Sequence, residues 1–166
     1  MSHRILSSRM AVCALAAVLL TAGTTFADSS SPDADPLGTA VEKCGLKCER
    51  LADQTAWKVP FDAKEQGTLN VYVTYNDDKR QYALIFATVV HKTKDFEYSR
   101  EVLEECMKIN SDIPGFKFCL DYSHGDLDCQ AELLMSTLTP ESLKHHLSLV
   151  ASMSQQHGPK LRGMAQ

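Results

Sequence analysis

The chain has 166 residues, of which 17 are basic, 21 are acidic and 44% are hydrophobic, and its formal net charge is −4. The first 27 residues hold Arg4 and Arg9 but no acidic side chain, so the rest of the chain carries 15 basic against 21 acidic side chains. Nucleic acids and anionic lipids require a basic surface, and we therefore expect neither as the main partner.

The N-terminus has the pattern of a secretory signal peptide. Arg4 and Arg9 precede a short apolar run, and Thr25-Phe26-Ala27 ends on the small residues that a signal peptidase recognises. The run is shorter than the ~20 residues of a membrane-spanning helix, and no second run follows, so we expect no membrane span. We expect cleavage after Ala27 and a periplasmic or secreted protein of 139 residues, about one domain.

The cysteines beyond this site would lie in an oxidising compartment, where disulfides persist. Five remain after cleavage: Cys44, Cys48, Cys106, Cys119 and Cys129. Because the number is odd, at least one thiol stays free or bridges to another chain.

The domain is predicted to begin with a leader and a helix. Residues 28–37 are rich in Ser, Asp and Pro, which is typical of a disordered leader. Thr39 and Glu42 then match a capping box. Apolar side chains recur behind it at helical spacing: Val41, Cys44, Cys48, Leu51 and Ala52. This pattern predicts a first helix over residues 39–53.

Strand patterns follow, and then a second helix. Residues 69–76 alternate strictly between apolar and polar side chains, and residues 81–90 are apolar enough for a central strand. A shorter strand is suggested around Trp57–Phe61. Residues 98–110 predict a second helix. Its apolar side consists of Tyr98, Val102, Cys106 and Ile109.

Residues 115–133 predict a hairpin with a cysteine on each strand. A two-residue turn at His124-Gly125 would pair Leu120 with Cys129 and collect the apolar side chains on one face. A three-residue loop would instead set Cys119 opposite Cys129 and mix the core and solvent faces. We therefore expect the first register, with Cys129 in the core and Cys119 on the polar face.

The last element is a third helix. Thr139-Pro140 supplies a cap followed by proline at the first helical position. An apolar stripe extends to Gly158-Pro159, where we expect the helix to end, and residues 159–166 are expected to form a flexible tail. The stripe consists of Leu143, Leu147, Val150 and Ala151. The order α-β-β-α-β-β-α implies an α+β fold, in which an antiparallel sheet of two hairpins has helices on one face.

The C-terminal half resembles YbjN-type domains, which have the type III secretion chaperone-like fold. In their pattern a helix ending in Asn leads into a strand, an acidic Gly turn, a second strand and a polar-capped helix. The matching residues are Asn110, Phe116, Phe118, Asp121, Gly125, Leu127, Thr139, Glu141 and Leu143. The resemblance covers residues 38–158. It implies an acidic homodimer that binds a protein or peptide partner and has no known catalytic residues.

The cysteines offer the main alternative. If Cys44 and Cys48 lie on one helix, their Cβ atoms are about 5–6 Å apart, whereas a disulfide requires about 3.5–4.5 Å. Excluding that bond leaves two connectivities for the four core cysteines, 44–106 with 48–129 or 44–129 with 48–106. Cys119 is then the free thiol. The alternative function is a thiol-based redox or metal-binding protein of the cell envelope, although neither the CxxC motif nor zinc-ligand spacing is present.

The histidines and carboxylates match no metal or catalytic pattern. Adjacent helical residues such as His145-His146 point about 100° apart. Three further histidines lack a second ligand at fixed spacing: His91, His124 and His157. Two carboxylate clusters do not match an EF-hand and are expected to be solvated. They are Glu101, Glu104 and Glu105, and Asp121, Asp126 and Asp128.

A partner surface is the other candidate site. Asp126 and Asp128, with the strand edge that we expect near them, are candidates for it, because a strand edge can pair with an extended peptide. Trp57 and Phe61 are further candidates. We expect an exported, non-enzymatic protein-binding domain that presents its sheet face and helix edges, with no catalytic residue, metal or cofactor.

Overall fold

The computed structural model describes residues 35–52, 55–64, 67–92 and 96–166. The predicted signal peptide and leader residues 28–34 lie outside this part of the chain. The helices are α1 (Pro36–Lys43), α2 (Arg100–Asp112) and α3 (Pro140–Met164). The strands are β1 (Glu49–Arg50), β2 (Ala56–Asp62), β3 (Thr68–Tyr75), β4 (Tyr82–Val90), β5 (Lys117–Asp121) and β6 (Asp126–Leu134). In the ranges described, no helix combines the length and apolar character needed to cross a membrane.

The six strands form one antiparallel sheet in the order β1-β2-β3-β4-β6-β5. The pairs β3–β4 and β5–β6 are the two predicted hairpins, and β2 is the suggested strand around Trp57–Phe61. The two-residue strand β1 was not predicted. The α+β fold class with an antiparallel sheet is confirmed, and the full order is α-β-β-β-β-α-β-β-α.

Helix α3 supplies the centre of the core, where it crosses β3, β4 and β6. The predicted stripe is buried, since Leu143, Leu147 and Val150 are 0% exposed. Burial of one such leucine contributes about 1.5–3 kcal/mol. Helix α2 packs on β5, and α1 packs on α3. In the described part of the chain the helices therefore share one face of the sheet, and we call the opposite side the helix-free face.

Helix α1 is shorter than predicted and begins earlier. Its N-cap is Asp35, whose side chain accepts a hydrogen bond from the Gly38 N–H, so the predicted cap at Thr39 is wrong. Leu37 is fully buried and belongs to the domain rather than to the leader. The helix ends at Lys43 because Gly45 adopts φ +74°, a conformation that reverses the chain and suits glycine. The prediction of a helix to residue 53 is therefore wrong.

Helix α3 is longer than predicted and extends through Pro159 to Met164. Leu161 is 0% exposed and Ala165 is 6% exposed, so burial holds the segment that we expected to be a flexible tail. Gly158 is buried, and a Cβ atom at this position would lie 3.4 Å from the Val89 side chain. Close packing against β4 thus supports the helix where proline removes a backbone donor.

The β5–β6 hairpin has a register that differs from the prediction by two residues. Phe118, not Leu120, lies opposite Cys129, and Asp121 lies opposite Asp126. The connection has four residues, and the Gly125 N–H donates to the Asp121 carbonyl at 2.7 Å. A shift of two residues preserves the side-chain faces. Cys129 is accordingly buried in the core, as predicted.

Candidate functional site

The five described cysteines are free thiols in this structure. Cys44 follows the end of α1, and its Sγ atom lies 3.9 Å from that of Cys48. Cys106 lies on the buried side of α2, and Cys129 lies on the core face of β6. Cys119 lies on the opposite face of β5, where it is half-buried beside Asp128. Of the predicted disulfide residues, only Cys44 and Cys48 are in contact in the described part of the chain.

The two predicted connectivities do not fit this fold. Each requires Cys48 to bond Cys106 or Cys129. Cys48 immediately precedes β1, whereas Cys129 lies on β6, four strand positions away across the sheet. Cys106 lies on α2, which packs on β5, one strand position beyond β6. Four strand spacings amount to about 19 Å, and a disulfide requires Cα atoms within about 7 Å. The predictions rested on a helix through both Cys44 and Cys48, and that helix ends at Lys43.

The thiols have the electrostatics of buried structural cysteines. Burial raises the pKa of Cys106 and Cys119 to about 11. Burial, followed by the charge of Cys44, raises the pKa of Cys48 to about 12. Burial, with smaller contributions from Cys119 and Asp128, raises the pKa of Cys129 to about 12. A reactive thiol requires a lowered pKa, because the thiolate is the nucleophile. These four cysteines therefore lack the character of catalytic thiols.

The histidines are dispersed. His146 Nδ1 lies 2.8 Å from the Ser142 carbonyl oxygen, and the ring of His145 meets that of His146 edge-on. The ring of His157 packs against Phe118, while His91 pairs with Asp126 at 2.8 Å. No cluster of three or more His, Cys, Asp or Glu residues that could hold a metal ion occurs among the described residues.

The carboxylates of α2 have separate structural partners. Glu101 lies at the N-terminus of α2, where hydrogen bonds from its own backbone N–H and from the Ser99 side chain lower its pKa. Glu104 accepts from Arg100 Nε at 2.6 Å, and Glu105 pairs with Lys160 of α3 at 2.7 Å. They do not converge on a shared site.

The hairpin carboxylates differ from one another. Hydrogen bonds from Ser123 and His124 lower the pKa of Asp121 to about 2. Asp128 is 4% exposed, its Oδ1 has no hydrogen-bond partner in the described residues, and burial raises its pKa. Strand β6 is paired on both sides, by β4 and β5, so the predicted strand edge beside Asp126 and Asp128 is wrong.

The helix-free face carries an apolar strip that the sequence did not single out. We define the apolar strip as Tyr72, Tyr82, Leu84, Phe86 and Leu134. Tyr72 and Phe86 are cross-strand partners whose rings stack with centroids 5.3 Å apart. Tyr82 lies directly opposite Leu134, and these side chains are 40% and 41% exposed. The signal in the sequence is that β4 is apolar on both of its faces.

Charged and polar side chains flank the apolar strip. Lys58 lies opposite Tyr72 and pairs with Glu49 at 2.7 Å. Glu132 lies opposite Leu84, accepts a hydrogen bond from Asn76 at 3.2 Å and lies 3.6 Å from Lys117. A hollow of about 670 Å³ adjoins Tyr72 and Phe86. An apolar centre within a polar rim is the composition of a protein-binding surface.

Part of each sheet edge is closed to strand addition. Asn110 of α2 donates from Nδ2 to the Phe118 carbonyl at 2.9 Å, and its Oδ1 accepts from the Phe118 N–H at 2.7 Å. On the other side, β1 covers part of β2, and the Ala56 carbonyl accepts from the Leu51 N–H. Because backbone groups alternate in direction along a strand, the backbone nitrogen of Pro60 lies on the same side of β2 as the Ala56 carbonyl. Proline has no N–H, so this position offers no donor to an added strand.

Trp57 and Phe61 do not belong to the helix-free face. Trp57 is 5% exposed and faces the core, where a Cβ atom on Gly38 would lie 3.2 Å from its ring. Phe61 is half-buried and packs against the core. The prediction of Trp57 as a partner-surface residue is therefore wrong, and the lone tryptophan is a core residue.

The fold has known counterparts, although the sequence matches no protein-family profile and no curated protein. A chain in the crystal structure of the ExsC–ExsE complex is 20% identical, with a TM-score of 0.53, and the match covers 76% of this chain and 90% of that one. A chain in the HopA1–SchA chaperone–effector complex is 15% identical, with a TM-score of 0.48 and coverages of 78% and 89%. At these identities the likeness concerns the fold alone.

Proposed function

We propose that this chain is an exported, non-enzymatic domain of the YbjN type that binds a segment of another protein on its helix-free face. The observation that carries the proposal is the apolar strip, which lies open on a sheet whose other face is covered by helices. Soluble domains rarely expose a contiguous apolar surface unless it contacts a partner.

The geometry supports side-chain recognition. Tyr82 and Leu134 leave a substantial part of their surface open, and the half-buried Tyr72–Phe86 stack forms a floor beside the hollow. A partner's apolar side chains would pack on this floor, and its polar groups would meet Lys58 and Glu132 at the rim. The structural counterpart in the ExsC–ExsE complex, a protein bound to a protein, supports this choice by analogy of fold.

Three further parts of the proposal come from the sequence and from residue chemistry. Export rests on the signal-peptide pattern over residues 1–27, and homodimer formation rests on the YbjN resemblance. The absence of enzymatic activity is supported by thiols whose pKa is raised and by helical carboxylates engaged in ion pairs. Export is tested by determining the N-terminus of the protein isolated from the exporting cell. Dimer formation is tested by the mass measured in light scattering, and the binding role is tested by the partner captured on the apolar strip.

The binding surface is tested by site-specific photocrosslinking in the source cell. A benzophenone amino acid replaces Tyr82 on the apolar strip. In the matched control it replaces Met107, which is 70% exposed on α2 and lies off the strip. We expect a discrete adduct to a second protein from position 82 and none from position 107. The double exchange of Tyr82 and Leu134 to Glu should abolish partner capture, while Met107→Glu should retain it.

Two outcomes contradict the proposal. If both positions give the same adducts, the strip has no binding preference. If position 82 gives only an adduct of twice the chain mass, the strip is the contact between two copies and does not receive another protein. Circular dichroism of each variant separates loss of binding from loss of fold.

A further inference from the structure

We infer that Cys44 and Cys48 form a disulfide with each other, a covalent clip between the end of α1 and the start of the outermost strand β1. The two Sγ atoms lie 3.9 Å apart, and Cys44 is 4% exposed. The thiol of Cys48 also lies 3.9 Å from the Val41 carbonyl oxygen, so its side chain is directed back toward the end of α1.

The local backbone makes this bond accessible. A regular helix would hold side chains four residues apart too far from each other, but the helix ends at Lys43 and Gly45 reverses the chain with φ +74°. An S–S bond measures about 2.05 Å. The sulfurs must therefore approach by about 1.9 Å from their present separation of 3.9 Å.

The chemistry is thiol–disulfide exchange. Cys44 and Cys48 together lose two protons and two electrons as their S–S bond forms, and a small disulfide such as oxidised glutathione accepts both and leaves as two thiols. In the cell this step rests on the proposed export, since the cytosol keeps thiols reduced. In the test tube it depends only on the geometry, so failure of the clip and failure of export are distinguishable.

The clip would stabilise a weak part of the sheet. Strand β1 has two residues, and it pairs with β2 only at Lys58 and Trp57. The bond joins the residue after α1 to the residue before β1, so it restrains the segment that covers the edge of β2. We expect hydrogen exchange of the Leu51 amide, which donates to the Ala56 carbonyl at 2.9 Å, to slow severalfold on oxidation.

Peptide mapping of the full chain tests the bond directly. The protein is equilibrated with oxidised glutathione, unfolded in the presence of an alkylating reagent that blocks its remaining thiols, and digested with trypsin. Cleavage after Lys43, Lys47 and Arg50 separates the two cysteines into the peptides CGLK and CER. We expect these two peptides to be joined by a disulfide, the number of alkylated cysteines to fall by two, and reduction to reverse both changes.

Matched variants make the test specific. Cys48→Ser should abolish the CGLK–CER product, and Cys119→Ser should retain it, with circular dichroism confirming the fold of each. Full alkylation after oxidation would overturn the inference. So would a bond from CGLK to EVLEECMK, which contains Cys106, or to the peptide over residues 118–144, which contains Cys119 and Cys129.

Discussion

Replacing Asn110 with alanine should destabilise the domain and open the edge of β5. The Asn110 side chain bonds both backbone groups of Phe118, accepting from its N–H at 2.7 Å and donating to its carbonyl at 2.9 Å. It therefore occupies the hydrogen-bonding position that a neighbouring strand would otherwise take. The exchange removes both bonds and leaves two outward groups of an outer strand without a protein partner.

The magnitude follows from the two bonds. Each hydrogen bond contributes about 1 kcal/mol net, so we expect the free energy of unfolding to fall by about 2 kcal/mol. With a denaturant slope of about 2 kcal/mol per molar urea, the unfolding midpoint should fall by about 1 M. An exposed strand edge also templates pairing. We therefore expect the variant to associate in a concentration-dependent manner, as measured by light scattering.

Two variants sharpen this test. Asn110→Asp keeps an acceptor for the Phe118 N–H but sets a carboxylate against the Phe118 carbonyl, so the loss should be larger at neutral pH than at acidic pH, where protonation restores a donor. Asn70→Ala is the control, since the Asn70 side chain makes no hydrogen bond within the described residues. If the unfolding free energy of Asn110→Ala lies within about 0.5 kcal/mol of that of the original protein, the edge-closing role of Asn110 is refuted.

Three further predictions concern single side chains. Asp121 raises the pKa of His124 above its ordinary 6.5, so Asp121→Asn should return this pKa toward 6.5 in an NMR titration. The stabilisation of the fold by the protonated His124 is complete below pH 6.5 and is lost as the pH rises through the raised pKa. It is also lost in acid, as Asp121 becomes protonated at a pKa of about 2. Burial raises the pKa of Asp128, so the neutral carboxyl is tolerated below pH 3.8 and stability is lost as the pH rises through the raised pKa. In urea unfolding, Asp128→Asn should therefore be more stable than the original protein by about 1 kcal/mol at pH 7 and by less at pH 3. Leu147→Ala should lower the unfolding free energy by about 3 kcal/mol, because Leu147 is fully buried.

The elements that the sequence predicted well are those with an unambiguous period. The predicted stripe of α3 is buried, and in β3 the alternation correctly places Val71 and Val73 in the core. Helix α1 shows the limit of this signal. Cys44 and Cys48 continue a helical spacing past Gly45, but the backbone of the glycine ends the helix, so the two thiols meet across a turn.

The hairpin register shows a second limit. Parity determines which face each side chain occupies, so the core position of Cys129 survived an error of two residues in the pairing. The turn chemistry that decides the actual register lies in Asp121. Its side chain accepts from the Ser123 N–H at 2.8 Å and lies 2.7 Å from His124 Nδ1, which stabilises a four-residue connection.

The apolar strip could not be assigned from the sequence, because alternation is silent about which face of a sheet the helices cover. Strand β4 is apolar on both faces, and we interpreted this as a central strand buried from both sides. The structure places Ala83, Ile85 and Ala87 against the helices and leaves Tyr82, Leu84 and Phe86 on the helix-free face. One apolar face of β4 therefore belongs to the core, and the other belongs to the exposed apolar strip.

An open sheet face and closed sheet edges belong together. A sheet with an apolar face and free edges would present both sticky side chains and unpaired backbone groups, which is the combination that leads to aggregation. Here Asn110 occupies the outward groups of Phe118, and Pro60 removes a donor from the uncovered part of β2. Strand addition is thereby disfavoured at both edges, so recognition falls to the side chains of the apolar strip. This favours packing of a partner's side chains over extension of the sheet. Asn110→Ala should open the edge of β5 and so favour strand pairing there.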